Sequence, residues 1–569
     1  MMDFNLFRTA VDGDEQSAQG EAMSPVEILA DAESAALWYE EQSANLDLAA
    51  VFQKISVMLA ALKDLKPELN ADHLAALMCL DDLHHAYYDE QHSQFSRSTL
   101  LPQFRVQALH RELGGYGQGF LESYLPFLSL QNTHPTYPEI QALLPTVVTR
   151  MMRYLSELAM FQFYRYMVFD AKGWWLAHQL YGYAEQRNWL TLPVQLFEDQ
   201  AATSIANEYK SLLLMSLIHC DHLTPTQLHT TLGLVRGEVA KHLMLSLPAT
   251  VTSPAGFFVH LKQNAAPYFW SASTSAAPLP EADLVGLYEL NTQGVVLLIR
   301  AWLMTLKSQE MPHTFIALSD PIINSRLLAA LKSVWNLQDH LAVRQFRNHA
   351  DQVEHVKVIH SLLDLHRLLR DEQNQRFDVS SLLDKPTPQQ SLDDTPANKM
   401  ATATHEKGVI DGVLKDISES GWGLDWVERA DERLTLGALL GLETQDKKWA
   451  VGILRRIQRQ TIGSMRLGVG KLSDKPVAVT LGLPDGDAAN LVGEEWLLNK
   501  EIMAILLPQK QDGMNVAQLI LPSSAYQISR ECRLRINDKV CQVAFGALIE
   551  SGVDWQVCYL RILSAPKAA

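Results

Sequence analysis

The chain has little cysteine and no arrangement of it that would cross-link the fold or hold a metal. Its five cysteines (Cys79, Cys220, Cys532, Cys541, Cys558) are odd in number, and no two form a Cys-x-x-Cys pair. That argues against a disulfide framework and a zinc site, and predicts free thiols in a reducing compartment. Long apolar runs are also missing. "GVVLLIRAWLM" and "SLLLMSLIHC" are interrupted or end well short of a bilayer span. No basic start precedes an apolar run, so no secretory signal is read, and a cytoplasmic protein without a membrane span is expected. Positive charge is scarce: 48 Lys and Arg face 65 Asp and Glu, a net of −17. A surface of that sign repels DNA, RNA and anionic membranes. The deficit is uneven, since residues 401–569 hold 20 basic and 21 acidic side chains. A local basic site is therefore compatible with the C-terminal part. No HExxH, GxSxG or GxGxxG occurs in a fitting context, and "LGVGKLSDK" has Met465 where a phosphate loop needs its first glycine. Neither an enzyme nor a resident cofactor is expected.

What is present has two textures. Residues 1–23 are small and polar and read as a mobile arm. From 24 to 375 helical periodicity dominates, as in Val51, Ile55, Met58 and Leu62, or Val358, Leu362, Leu365 and Leu369. A short strand is suggested at "AGFFVHLKQ". No fixed repeat carries through, so the region is read as a helical array, with a solenoid-like stack of helices as one arrangement of it. Residues 376–407 carry three prolines and many small polar residues with no period, the pattern of a linker. Beyond it lie short alternating strands. "KKWAVGILRRI" sets Trp449, Val451 and Ile453 against Ala450, Gly452 and Leu454, and "ECRLRINDKVCQVAF" sets Cys532, Leu534 and Ile536 against Arg533 and Arg535. The expected fold is α+β and multidomain: an all-α N-terminal array, an antiparallel β-barrel over 408–480, and a second small β domain over 481–569.

The stretch "KDISESGWGLDW" contains Asp416-x-Ser418-x-x-Gly421 between two predicted strands, and "KWAVGILRRIQRQTIGSMRLGVGKL" follows. Together they resemble the second signature and the later strands of the PilZ domain family. The resemblance covers roughly residues 408–480. It implies a six-stranded barrel that binds the bacterial second messenger cyclic di-GMP. In that family an Arg-x-x-x-Arg segment leading into the first strand holds phosphates and the guanine edge, and the Asp/Asn-x-Ser-x-x-Gly rim completes the site. The chemistry is sound: a guanidinium fork bonds phosphate or guanine bidentately and stacks on a purine. A short Asp or Ser bonds the guanine edge without filling the pocket. A glycine permits positive φ and close approach of the backbone.

The chain departs from the pattern upstream, for no arginine lies between Arg376 and Arg429, leaving Lys399, His405 and Lys407. An Arg-x-x-x-Arg spacing does occur at Arg455 and Arg459, after the hexapeptide. With Arg456 these are the candidate clamp, and a solvated strand edge is the other reading of them. Asp416, Ser418 and Gly421 are likewise either a binding rim or a structural turn. Two functions stay open: a cyclic di-GMP effector coupling the barrel to a helical protein-interaction scaffold, or an adaptor that binds a protein partner without the nucleotide.

Two further groups stand out. Asp81, His85, Asp89 and His92 fall on one helical stripe, expected to face solvent. A metal there would need ligands from another helix, such as "HCDH" at 219–222. "MMRYLSELAMFQFYRYMVFDAKGWW" predicts a helix buried at the centre of the array, with a groove for a partner's helix as the alternative.

Overall fold

The computed structural model describes every residue except 1–24, 63–68, 98–102, 134–137, 199, 219, 248–254, 272–284, 309–323, 342–347, 377–408, 428–433, 444–447, 462–463, 484–491, 494–495, 499, 512–513, 538, 553, 565–566 and 569. The mobile arm expected over 1–23 and nearly all of the linker expected over 376–407 lie outside the described residues. Two units separate between Val343 and Arg344.

The first unit opens with α1 (Pro25–Ile28), α2 (Ala32–Asn45), α3 (Leu48–Leu62), α4 (Ala71–Ser96) and α5 (Gln103–Thr133). It continues through α6 (Pro138–Tyr164), α7 (Ala171–Gln186), α8 (Ile205–Leu217) and α9 (Pro225–Gly237). Starts are fixed by capping: Asp31, Asn70, Asp170, Ser204 and Thr224 each accept a hydrogen bond from the amide three residues on. The central element is α6, which packs against α4, α5, α7, α8 and α9. Its aromatic run is core, with Tyr154, Phe161, Phe163 and Tyr164 buried, and so are Phe169 and Trp174 just beyond. A small sheet follows, built from β1 (Met244–Ser246), β2 (Ala255–His260), β3 (Tyr268–Ser271) and β4 (Leu287–Asn291) in the order β1-β4-β2-β3. Strand β2 falls where "AGFFVHLKQ" suggested one. Helices α10 (Gln293–Ser308), α11 (Ser325–Trp335) and α12 (Leu337–Leu341) complete the unit. Among the described residues no helix is long and apolar enough to cross a membrane.

The second unit begins with β5 (Asn348–Ile359) and α13 (Leu362–Arg376), then β6 (Val409–Ser418), β7 (Gly421–Val427), β8 (Leu439–Glu443), β9 (Trp449–Thr461) and β10 (Ser464–Ser473). The six strands close into an antiparallel barrel, β10-β7-β6-β5-β8-β9. This corrects the boundary expected from sequence, which left residues up to 375 in the helical array. The apparent helical series Val358, Leu362, Leu365, Leu369 joins a strand residue to three helix residues. The true local signal is alternation, with Val356 and Val358 buried and Lys357 exposed between them.

The remaining strands are β11 (Val477–Gly482), β12 (Leu497–Leu498), β13 (Glu501–Gln511), β14 (Met514–Pro522), β15 (Glu531–Ile536), β16 (Lys539–Ser551), β17 (Trp555–Ile562) and β18 (Lys567–Ala568). Here β11 pairs with both β13 and β15, so the sheet returns on itself as β11-β15-β16-β17-β14-β13. The expected division at 480/481 falls inside β11. On β15, Cys532 and Leu534 are buried while Arg533 and Arg535 are exposed, as the alternation predicts. Taken in chain order, the six ring strands of both barrels follow one sequence: first, fourth, fifth, sixth, third, second. Helix α13 lies between the barrels, its Leu362, Leu365 and Leu369 sharing a core with Val451 and Ile453 of the first and Ile505, Ile520 and Trp555 of the second. His366 on the same helix sits 3.0 Å from the Val479 carbonyl, and the Trp555 indole donates to the Gly437 carbonyl at 3.0 Å.

Candidate functional site

The hexapeptide forms the hairpin between β6 and β7. Ser418 pairs with Gly421 across a two-residue turn, Glu419-Ser420. The Ser418 hydroxyl donates to the Gly421 carbonyl at 3.3 Å and lies 3.3 Å from the Ser420 hydroxyl, tying the turn. Gly421 is not at positive φ, which corrects one reason given for it. Close approach is the reason that holds: a Cβ at Gly421 would lie 2.2 Å from the Val469 carbonyl oxygen on β10.

Register then explains the neighbourhood. Asp416 pairs with Gly423 on β7, Gly423 with Gly468 on β10, and Gly468 with Arg456 on β9. One rung along, Gly421 pairs with Gly470. Between them Trp422, Leu424, Leu467 and Val469 are buried inside the barrel. The outer face of β7 and β10 is therefore bare main chain at four positions, a strip about 4.8 Å across and about 7 Å long. No side chain of these two strands stands between Asp416 and the arginines in that rung.

The rim lies flat on this strip. The Asp416 carboxylate rests over Gly423, where a Cβ would come within 2.4 Å of Oδ2. Arg456 leans over Gly468, where a Cβ would meet its own Cβ at 2.9 Å. Strand β9 carries an extra residue at Arg455 relative to β10, and the bulge turns Arg455 to the same face as Arg456. The Arg455 stem crosses Gly470, with Cγ 3.0 Å and Nε 3.3 Å from the place of a Cβ. Its guanidinium is held bidentately by Glu550 of β16, with Nη2 2.6 Å from Oε2. At the other end Arg466 donates to Asp416 Oδ2 at 3.3 Å, and Lys415 lies 3.2 Å from Asp425. Three guanidinium groups and one buried carboxylate, lying on main chain that carries no Cβ, are complementary to a planar polar ring bearing phosphates.

Of the predicted residues, Asp416, Ser418, Gly421, Arg455 and Arg456 share this face. Arg459 does not: it pairs with buried Met465 near the β9–β10 turn, about 13 Å along the strand from Arg455. The sequence reading did not identify Arg466, the glycine strip or Glu550. The strip had a visible signal, Gly-Trp-Gly at 421–423 and Gly-Val-Gly at 468–470. Since β5 is the first barrel strand, the segment leading into it is Arg344-Gln345-Phe346-Arg347. Both arginines lie outside the described residues, but Arg347 precedes Asn348, the β5 partner of Ile417. The matching hairpin of the second barrel pairs Gln511 with Met514, and its "QKQDGM" has no Asp-x-Ser-x-x-Gly.

Of the stripe, Asp81, His85 and His92 face the interior, and only Asp89 is exposed as expected. Asp81 accepts from Tyr124 at 2.7 Å, from Arg150 at 3.1 Å, and from Tyr154. His85 stacks on Phe197 at 3.3 Å between ring centroids. Burial holds the pKa of His92 at about 3, so it is neutral. Close by, Arg153 binds both Glu208 oxygens at 2.8 Å, and Arg236 reaches Glu157 at 3.3 Å. Buried charges require such partners, and these hold helices α4, α6, α8 and α9 together. Among the described residues no group of three or more His, Cys, Asp or Glu could hold a metal; His219 of "HCDH" is not among them.

Comparison with known families finds one match within each unit. Residues 33–249 match the family model described as the N-terminal domain of the cyclic-di-GMP receptor FimW. Residues 370–476 match that described as the middle PilZ domain of the same receptor. No curated protein and no solved structure matches.

Proposed function

From the premise that residues 370–476 are a PilZ domain C-terminal to a helical region, we propose that this chain is a receptor for cyclic di-GMP. The nucleotide lies on the outer face of the first barrel, over the strip formed by Gly421, Gly423, Gly468 and Gly470. In this reading Asp416 and Ser418 bond the guanine edge, while Arg455, Arg456 and Arg466 take phosphate oxygens or stack on a base. Arg347 and Arg344 supply the upstream pair the family requires, one residue closer together than its usual spacing. The observation that carries the reading is the glycine strip, which leaves β7 and β10 without a Cβ at four positions of the outer face and lets Asp416, Arg455 and Arg456 lie flat on it.

A binding and signalling role follows, rather than catalysis, in a cytoplasmic protein whose cysteines are free thiols. The helical unit, which matches a domain of the same receptor family, is assigned the contact with a protein partner, and nucleotide-dependent capture of that partner would test the assignment. The receptor reading is tested by calorimetric titration of the full chain with cyclic di-GMP. Saturable binding that weakens at least tenfold in Asp416→Ala and Arg456→Ala is expected. No heat and no competition at about 100 µM nucleotide, a level that detects even weak sites, would leave the adaptor reading in its place.

A further inference from the structure

One guanidinium at the rim is already engaged by a carboxylate that belongs to the other barrel. Arg455 extends over Gly470, beside Gly421, and Glu550 of β16 binds both of its terminal nitrogens. A guanidinium offers one fork to a bidentate acceptor on that edge, so a phosphate approaching along the strip competes with Glu550 for it. The Arg455 side chain is 45% exposed and that of Glu550 21%, so the pair is open to solvent and to a ligand. Two other features fix the carboxylate in place. The second barrel is joined to the first through the α13 core and the Trp555 to Gly437 hydrogen bond. Strand β16 is irregular on either side of Leu548, where the ladder to β17 shifts register before Glu550.

We propose that Glu550 is an internal competitor for the ligand's phosphate, so that the second barrel, which lacks the Asp-x-Ser-x-x-Gly hairpin, sets the affinity of the first. The proposal rests on the nucleotide reading above and adds its regulation. Binding exchanges the Arg455–Glu550 pair for an Arg455–phosphate pair and releases Glu550 to solvent. The exchange weakens the grip of β16 on β9, so occupancy at the strip is transmitted to the contact between the barrels.

The experiment is titration of the full chain with cyclic di-GMP in the unaltered protein, Glu550→Gln, Arg455→Ala and the double variant. Removing the competing charge is expected to tighten binding about two- to fivefold, the range of a partly exposed ion pair. The gain is expected to vanish in the Arg455→Ala background. Affinity unchanged or weakened by Glu550→Gln, with the unaltered protein still binding, would overturn the competitor and make Glu550 a residue that positions Arg455. Binding seen only in Glu550→Gln would support the proposal in its strongest form. Absence of binding in all four proteins would remove the nucleotide reading and this proposal with it.

Discussion

Gly423 shows how much of the site rests on single residues. In Gly423→Ala the new methyl would sit 2.4 Å from the Asp416 carboxylate, and that side chain must leave its place over β7. Loss of nucleotide binding by at least tenfold is expected, with a stability cost of about 1–3 kcal/mol from overpacking, read by titration and denaturant melting. Gly421→Ala is the harsher change, because its obstacle is the Val469 main chain at 2.2 Å, which cannot swing aside. In the helical unit, Arg153→Met removes the bidentate partner of the buried Glu208 carboxylate and leaves it Thr203 at 2.8 Å and Arg236 at 3.7 Å; burial raises its pKa, and Arg153 outweighs this to hold it at about 2. A loss of about 3–5 kcal/mol in urea melting is expected, as for breaking a buried ion pair. The hexapeptide was legible because Asp416, Ser418 and Gly421 form one local hairpin, whose spacing is preserved in sequence. Arg455 and Arg459 are paired in sequence by their Arg-x-x-x-Arg spacing, and a bulge that no spacing announces separates them. It turns Arg455 toward Arg456 and leaves Arg459 with Met465.

At the scale of the element, α13 and β5 are the informative failures. Both lie before the Pro-rich stretch and were given to the helical array, since a strand of alternating Val and a following helix read together as one helical series. The strand pattern of the C-terminal half was legible because its alternation continues for long runs, whereas the Val356–Val358 alternation of β5 ends after a few residues. Helix α13 makes a pH-dependent contribution. Burial holds His366 neutral, with its pKa lowered to about 4. A histidine depressed in the folded state contributes stability that is complete above the ordinary value near 6.5 and is lost as pH falls from there toward 4. The loss at pH 5 is about 2 kcal/mol. Denaturant melts of the second unit's transition at pH 7.5 and 5 are expected to show that difference, reduced in His366→Gln. Leu369→Ala, at the same interface, is expected to cost about 2–5 kcal/mol at either pH.

At the scale of the whole molecule, two barrels of one topology follow a helical unit, and only the first carries a glycine strip with an acidic rim. The α+β order and the existence of two β domains were readable from composition and period. Their shared strand order was not, because ring closure depends on long-range pairings such as β11 with β13 that leave no local trace. The first barrel is interrupted: β5 precedes residues 377–408, and its other five strands follow. A protease nick within 377–408 would therefore not release a receptor domain. The two pieces would stay together through the β5 ladder to β6 and β8 and the wedge of α13, running as two bands in denaturing gels and one species on a sizing column. The piece beginning at 376, where the linker expected from sequence starts, is a cask with a stave removed. The exposed edge of its β6 would seek a strand from any neighbour, and adding back a peptide of residues 344–376 should restore both its solubility and its grip on the nucleotide.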